Sequence, residues 1–574
     1  MRILPPVSIE TRRLLPSSWD LMAAIFVLGI IVLFAEASRD VAQPIASLTR
    51  NPISLDPSHL PEYAFRTGLR MLVALGVSLI FTFTYATWAA KSPRAGTLLV
   101  PLLDILQSIP ILGFLSVTLV FFLALAPGRV LGAEFAAVFL IFTSQAWNMA
   151  FSFYQSLRTV PPELTEAGRL FGLNGWARFW RIEVPFGMPQ LIWNMMMSMS
   201  GAWFFVVAAE VFTVGNTSIT LPGIGSYVAA ALAAKSLSAI GWAIVTMLIV
   251  ILIFDQLLFR PLVAWADRFR IDAEPGDEVD ESWALKMFRR SKIIDALATP
   301  CDRLMRRTYR VTLPATRLPT AAVSVPPRIT AGLWYLVLVA LGAYIVWRVT
   351  AFVGASLGFS ELVSAVLRGL ATLARVVVLI ALASVIWVPI GIHVGLRPHL
   401  SRVVQPVAQF LAAFPANLLY PVVFFLIVRW NLNPDIWLSP LMVLGTQWYI
   451  LFNVIAGASA LPRELRDVSS NLQLKGWLWW RKVALPAVFP FYVTGAITAS
   501  GGSWNAAIVA EVLSWGDKTL HAYGLGAYIT DASVKGDFHR VVLGMFVMSF
   551  FVVVVNRLFW RPLYWYAERK FRLE

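Results

Sequence analysis

The chain has 574 residues, of which 58% are hydrophobic and only 14% charged, with a mean hydropathy of +0.71. Ordinary soluble proteins carry about a quarter charged residues, so this composition excludes a soluble globular fold and points to a lipid bilayer. The net charge of +15 follows from where the loops fall and identifies neither a nucleic-acid partner nor an anionic cargo. A single cysteine, Cys301, leaves no internal disulfide or multi-cysteine metal site, and His59, His393, His399, His521 and His539 have no ligand spacing.

A bilayer span needs roughly 20 apolar residues. Residues 1–18 form a basic arm, and a first span at 20–36 has no small-residue cleavage site behind it, so it reads as retained. Residues 37–65, with Asn51-Pro52, Asp56-Pro57 and Leu60-Pro61, read as an external loop rather than a helix. Spans follow at 67–90, 97–126, 130–154, 187–210 and 239–259, with a polar break from Leu157 to Pro185. A linker from Arg260 to Arg328 holds an acidic stretch at 272–283 and then a basic amphipathic helix. That helix puts Met287, Ile293, Ile294, Leu297 and Leu304 on an apolar side suited to a membrane surface. The second half supplies spans at 330–350, 366–393, 404–428, 436–458, 488–512 and 539–559. The apolar stretches around Pro110 and Pro415 exceed one span, so each is expected to be a broken helix. Placing both termini in the cytoplasm puts most of the 47 lysines and arginines in inner loops.

The two halves are copies. Pro185 and Pro486 stand 301 residues apart, and the same offset pairs Pro161 with Pro462, Glu163 with Glu464, Glu166 with Asp467 and Trp176 with Trp477. It continues through Trp203/Trp504, Glu210/Glu511, Gly223/Gly524, Gly225/Gly526 and Pro261/Pro562. Upstream, Pro110/Pro415 and Arg70/Arg375 align at an offset of 305.

The duplicated polar break reads as a mechanical part. Pro161, Pro162 and Glu163 open a helix, with proline in its first turn and carboxylate at the positive end of its dipole. Ala167 and Gly168 permit close approach by a neighbour, Gly172 permits a turn, and a second short segment from Gly175 is expected to end at Pro185. An amphipathic helix of that kind is built to dock.

Glu166-Ala167-Gly168, three residues, Gly172, nine residues and then Ile182-Glu183-Val184-Pro185 resembles the EAA loop of inner-membrane permease subunits of binding-protein-dependent ABC importers. The second copy departs at Asp467, Val468, Ser469 and Gln473 and keeps the ending Val483, Leu485, Pro486. The resemblance covers residues 60–270 and 360–572. It implies an all-α integral membrane protein with about 12 transmembrane helices as two tandem six-helix type I ABC importer permease domains. Gly201-Ala202-Trp203 to Glu210 and Gly502-Ser503-Trp504-Asn505 to Glu511, each followed by Gly-Ile/Leu-Gly-Ser/Ala-Tyr, resemble the branch handling nitrate, sulfonates, taurine and bicarbonate.

The expected organisation is an arm, first helix and external loop at 1–66, a first permease core at 67–262, a linker at 263–329 and a second permease domain at 330–574. The chain carries no phosphate-binding loop, since Gly516-Asp517-Lys518-Thr519 lacks the earlier glycine. The resemblance therefore implies two separate ABC ATPase subunits that carry ATP and Mg, an extracytoplasmic solute-binding protein, and no cofactor, metal or nucleic acid on this chain. It also makes the chain a transport permease rather than an enzyme. Glu163, Glu166, Ala167, Gly168, Gly172, Pro185 and their counterparts Glu464, Asp467, Gln473 and Pro486 would be the ATPase-coupling residues.

For the pathway, Arg70 and Arg375 either fix span ends or face cargo. Glu210 and Glu511 either accept backbone or arginine hydrogen bonds at an outer gate or meet the solute. Trp203 and Trp504 either close a cavity or pack. Gln107, Ser108, Gln145, Asn148 and Asn194, with Gln409, Asn417, Gln447 and Asn505, are candidates for the lining. A gradient-driven secondary transporter is the alternative reading; it needs no duplicated docking loop.

Overall fold

The computed structural model describes residues 43–45, 53–108, 111–214, 217–269, 283–310, 327–515 and 518–571. The expected first span at 20–36, the acidic linker stretch up to Ser282 and Pro110 lie outside the described residues. Among the described residues, seven helices are long and apolar enough to cross a bilayer, and two bent pairs raise that number to nine. The expected spans at 97–126 and 330–350 are occupied by helices Pro93–Ser108 with Leu115–Leu125, and Pro327–Gly354. The fold is therefore an all-α membrane fold, to which two short β-hairpins are added.

The described residues divide between two compact units, one within 152–194 and 254–358, the other within 37–151, 195–253 and 359–574. In the first, the polar loop after Arg158 forms helix Pro162–Leu170 and turns into Gly175–Arg178. The basic linker folds as two helices, Trp283–Arg290 and Lys292–Arg310, rather than the single one expected. Met287 is buried, but Leu304 is 64% exposed and does not share its environment. Ser291, itself buried, marks the break.

In the second unit, helix Leu60–Lys91 begins five residues earlier than residue 65, the expected end of the external loop. Pro61 sits in the first turn, where its missing N–H costs nothing, and Asp56 caps the preceding 3-10 turn by accepting from the Ser58 amide at 3.0 Å. Helix Pro398–Ala413 bends by 74° into Ala416–Arg429. Phe414, before Pro415, is forced into an extended conformation (φ −68°, ψ 124°), which stops the helix. A second bend of 44° separates Pro434–Leu444 from Gln447–Ser459, dividing the expected span at 436–458.

Pro185 and Pro486 do not end a helix. The chain runs from Gly175 to Ala208 and from Gly476 to Ala510 as continuous helices, each with a π turn just before its proline, at Phe179–Glu183 and Trp480–Ala484. The same device recurs at Asp255–Phe259 before Arg260-Pro261 and at Asn556–Trp560 before Arg561-Pro562. A widened turn accommodates a ring that would otherwise collide with the preceding turn.

After the fifth span of each half comes an antiparallel hairpin, Val211–Val214 with Thr217–Thr220 and Val512–Trp515 with Lys518–His521. A short helix follows, Ile224–Ala233 or Leu525–Val534.

Candidate functional site

Glu210 and Glu511 end the fifth-span helices and are 0% and 1% exposed, so each carboxylate needs partners from the protein. Glu210 receives the Thr67 hydroxyl at 2.6 Å, the Arg70 guanidinium at 2.8 Å and the Gly225 amide at 2.6 Å. Glu511 receives Thr372 at 2.8 Å, Arg375 at 3.1 Å and the Ala527 amide at 3.1 Å. The two threonine oxygens in turn accept from Ile224 N at 3.0 Å and Leu525 N at 2.9 Å. Each cluster thus ties the first helix of the repeat to the end of the fifth and to the short helix behind the hairpin.

The arginines are spent on these clusters. Arg70 also donates to both oxygens of Glu134 at 2.7 Å and to Pro222 O at 2.9 Å, using four of its five N–H groups. Arg375 donates to Asp435 at 3.0 Å. Glu134 and Asp435 escaped the sequence reading, although they stand at the common 301-residue offset. Glu134 sits in the second turn of its helix, inside an apolar run, and Asp435 just before one, and a lone acid there shows no partner in the sequence.

The clusters also explain the paired glycines. A Cβ on Gly223 or Gly524 would overlap the carboxylate of Glu210 or Glu511, and one on Gly225 or Gly526 would run into the carbonyl of Val207 or Ala507. Trp203 and Trp504 are 2% and 1% exposed, and Trp504 stacks on Phe551 with centroids 6.2 Å apart. They are packing residues in this structure.

A cavity of about 80 Å³ lies where the two repeats meet within the larger unit. Ser200, Gly201, Phe204 and Phe205 of the first repeat face Tyr420, Tyr449 and Asn505 of the second, among others, and no charged side chain lines it. The repeats cross-connect at its edge: Ile111 N donates to Asn505 Oδ1 at 2.6 Å, and Asn417 Nδ2 to Phe204 O at 3.2 Å. Of the other polar candidates, Asn148 bonds Ser198, Asn194 bonds Ser152, Gln145 bonds the Met71 sulfur and Gln447 accepts from Trp387. Gln107 is exposed, Gln409 is half-buried and neither lines the cavity, while the Ser108 side chain lies outside the described residues.

The two polar loops share one backbone plan. In the first, Glu163 and Glu166 are exposed, Ala167 is half-buried and Gly168 is buried, where a Cβ would sit 2.7 Å from Ile182 Cδ1. This contact is why the position after Ala167 is so small. Gly172 turns with φ +67°, and Leu173 N closes back on Gly168 O at 3.0 Å. In the second loop Glu464 and Asp467 are exposed, Gln473 takes the same left-handed turn with φ +51°, and Leu474 N reaches Ser469 O at 3.0 Å. Replacing glycine by Gln473 keeps the turn at a cost in strain.

The profile of the family described as binding-protein-dependent transport system inner membrane component matches twice, at residues 72–265 and 387–560, and the chain belongs to that family. It is a multi-pass membrane protein with an internally duplicated family domain. Over 188 residues, 33% of this chain and 64% of the relative, it is 27% identical to the bicarbonate transport system permease protein CmpB of Synechococcus elongatus. The same extents and identity hold for the nitrate import permease protein NrtB of Leptolyngbya laminosa. The glycine betaine/proline betaine permease protein ProW of Escherichia coli is 28% identical over 157 residues, 27% of this chain and 42% of ProW. The chain thus spans somewhat under two thirds of the bicarbonate and nitrate relatives it matches.

Proposed function

We propose that this chain is the permease of an ATP-driven importer and supplies both halves of the pathway for a small anion by alternating access. The observation that carries this reading is the duplicated loop: a proline-started helix, a left-handed turn and a short helix feeding through a π turn into a span, present once in each family domain. Two ABC ATPase subunits holding ATP and Mg each receive one loop helix at the cytoplasmic face. A solute-binding protein delivers cargo from outside, and both termini face the cytoplasm of a bacterial inner membrane. The coupling residues are Glu163, Glu166, Ala167, Gly168, Gly172 and Pro185 with Glu464, Asp467, Gln473 and Pro486. ATP closing the ATPase pair must favour one conformation of the spans over the other, since a ligand shifts an equilibrium only by its differential affinity. The anionic cargo is supported by the bicarbonate and nitrate permeases among the relatives.

A second reading has a specific observation behind it. Phe204, Phe205, Tyr420 and Tyr449 give the cavity an aromatic lining, which suits a quaternary ammonium, and a betaine permease is also similar to the chain. The deciding experiment is a thermal-shift screen of the binding protein purified with this complex, against nitrate, bicarbonate, sulfate, taurine and glycine betaine. A ligand at about 100 times its dissociation constant stabilises by about 2.7 kcal/mol. Stabilisation by an anion supports the first reading and by betaine alone the second. Purified complex with no ATPase and gradient-driven uptake would overturn both.

A further inference from the structure

The cavity between the repeats has neutral walls, and Arg70 and Arg375 are bonded in the ion clusters instead. Its hydrogen-bonding groups divide unevenly. Tyr420 already donates to Leu441 O at 3.3 Å, Thr446 shares a bond with Ser503 at 3.0 Å, and Asn505 Oδ1 accepts from Ile111 N. Two hydroxyls in the lining have no partner among the described residues: Tyr449, half-buried, and Ser200, 9% exposed. They come from opposite repeats and line the same cavity, and a Cβ on Gly201, next to Ser200, would sit 3.0 Å from the Tyr449 hydroxyl oxygen. A hydroxyl that faces a cavity without a protein partner is open to water or to a passing solute.

We propose that the Tyr449 and Ser200 hydroxyls form the station at which the cargo's oxyanion group exchanges water for protein donors during passage. The assignment rests on the permease reading above and adds to it the residues that touch the solute and the chemical group they receive. Each hydroxyl can donate to an oxygen acceptor, and the nearby amide oxygen of Asn505 is already taken by Ile111 N, so the free groups can serve an oxyanion. By the measure that gives this cavity about 80 Å³, a water needs about 10–15 Å³, so an ion of a few heavy atoms fits. Neutral donors also suit transit: a site must bind well enough to admit its ion and weakly enough to release it, and a bare arginine in a dry cavity would hold it. The repeat partner of Tyr449 at the 301-residue offset is Asn148, whose amide is bonded to Ser198 at 2.9 Å, so the station is one-sided.

The test uses the full chain with its ATPases and binding protein in liposomes, with ATP-driven uptake measured for nitrate, bicarbonate, sulfate, taurine and glycine betaine as probes. Tyr449→Phe and Ser200→Ala are each expected to cut uptake by about fivefold to tenfold, the worth of one neutral hydrogen bond. Both variants should purify with their ATPases in wild-type yield and with a wild-type melting temperature, which shows that they fold and assemble. Gly201→Ala, which crowds the Tyr449 hydroxyl without removing it, is expected to lower uptake in the same way. Wild-type uptake rates in both hydroxyl variants would overturn the station and leave the permease reading standing. Uptake of none of the probes by the wild-type complex would overturn both. Glycine betaine as the sole cargo would keep the station, through its carboxylate, and remove the inorganic anion.

Discussion

The ion cluster of the first half and that of the second are built on one plan with one different acid. Arg70 meets Glu134 with both arms of its fork and is 4% exposed. Arg375 meets Asp435 through a single bond, and Asp435 is half in water and also accepts Tyr523 N at 2.6 Å. Glutamate reaches one methylene further than aspartate, which allows the bidentate geometry in one repeat and denies it in the other. The first cluster is therefore a closed, dry joint and the second an open one, and duplication has left two joints of different stiffness in one molecule.

The largest test of that difference is removal of the arginines. Arg70→Ala leaves Glu210 buried without its cation and is expected to cost about 3–5 kcal/mol, whereas Arg375→Ala should cost clearly less because water reaches its cluster. Midpoints of unfolding in denaturing detergent would show it, and equal losses would break the comparison. Next come Gly223→Ala and Gly524→Ala, which press a methyl onto the carboxylate in both repeats. Each should cost about 1–3 kcal/mol, with no difference between halves, because the overlap is the same in each. Glu134→Asp sharpens the contrast by turning the first joint into the second, at a loss of about 1–2 kcal/mol in the same assay. Smallest is the loop pair: Gln473→Gly should stabilise by about 1 kcal/mol by relieving a left-handed turn, and Gly172→Ala should destabilise by about as much. Thermal melts of the purified chain would read both signs, and a neutral Gln473→Gly would show that the turn carries no strain.

Much of this was legible in the sequence because repetition marks it. The constant offset singled out Glu210, Glu511 and the glycines 13 and 15 residues beyond them, and the structure shows those glycines shaped around the carboxylates. Sequence could equally place Arg70 and Arg375, but not say what they hold, because their partners arrive from 64 and 60 residues away. The hairpins were missed since strands of four residues leave no alternation to detect. Pro185 reads as a stop in the sequence because the local rule is steric. The rule fails where the helix can widen by a residue, and hydropathy does not register that.

The four widened turns come as two pairs. A turn closed over one residue more than its neighbours is what a single-residue insertion leaves in a helix. The turns at Phe179–Glu183 and Trp480–Ala484, and those at Asp255–Phe259 and Asn556–Trp560, lie 301 residues apart as pairs, without slippage. Each precedes a proline that recurs at the same offset, so the widened turn and the ring it accommodates are repeated together. In both halves, then, the fifth span is entered through the same widened turn.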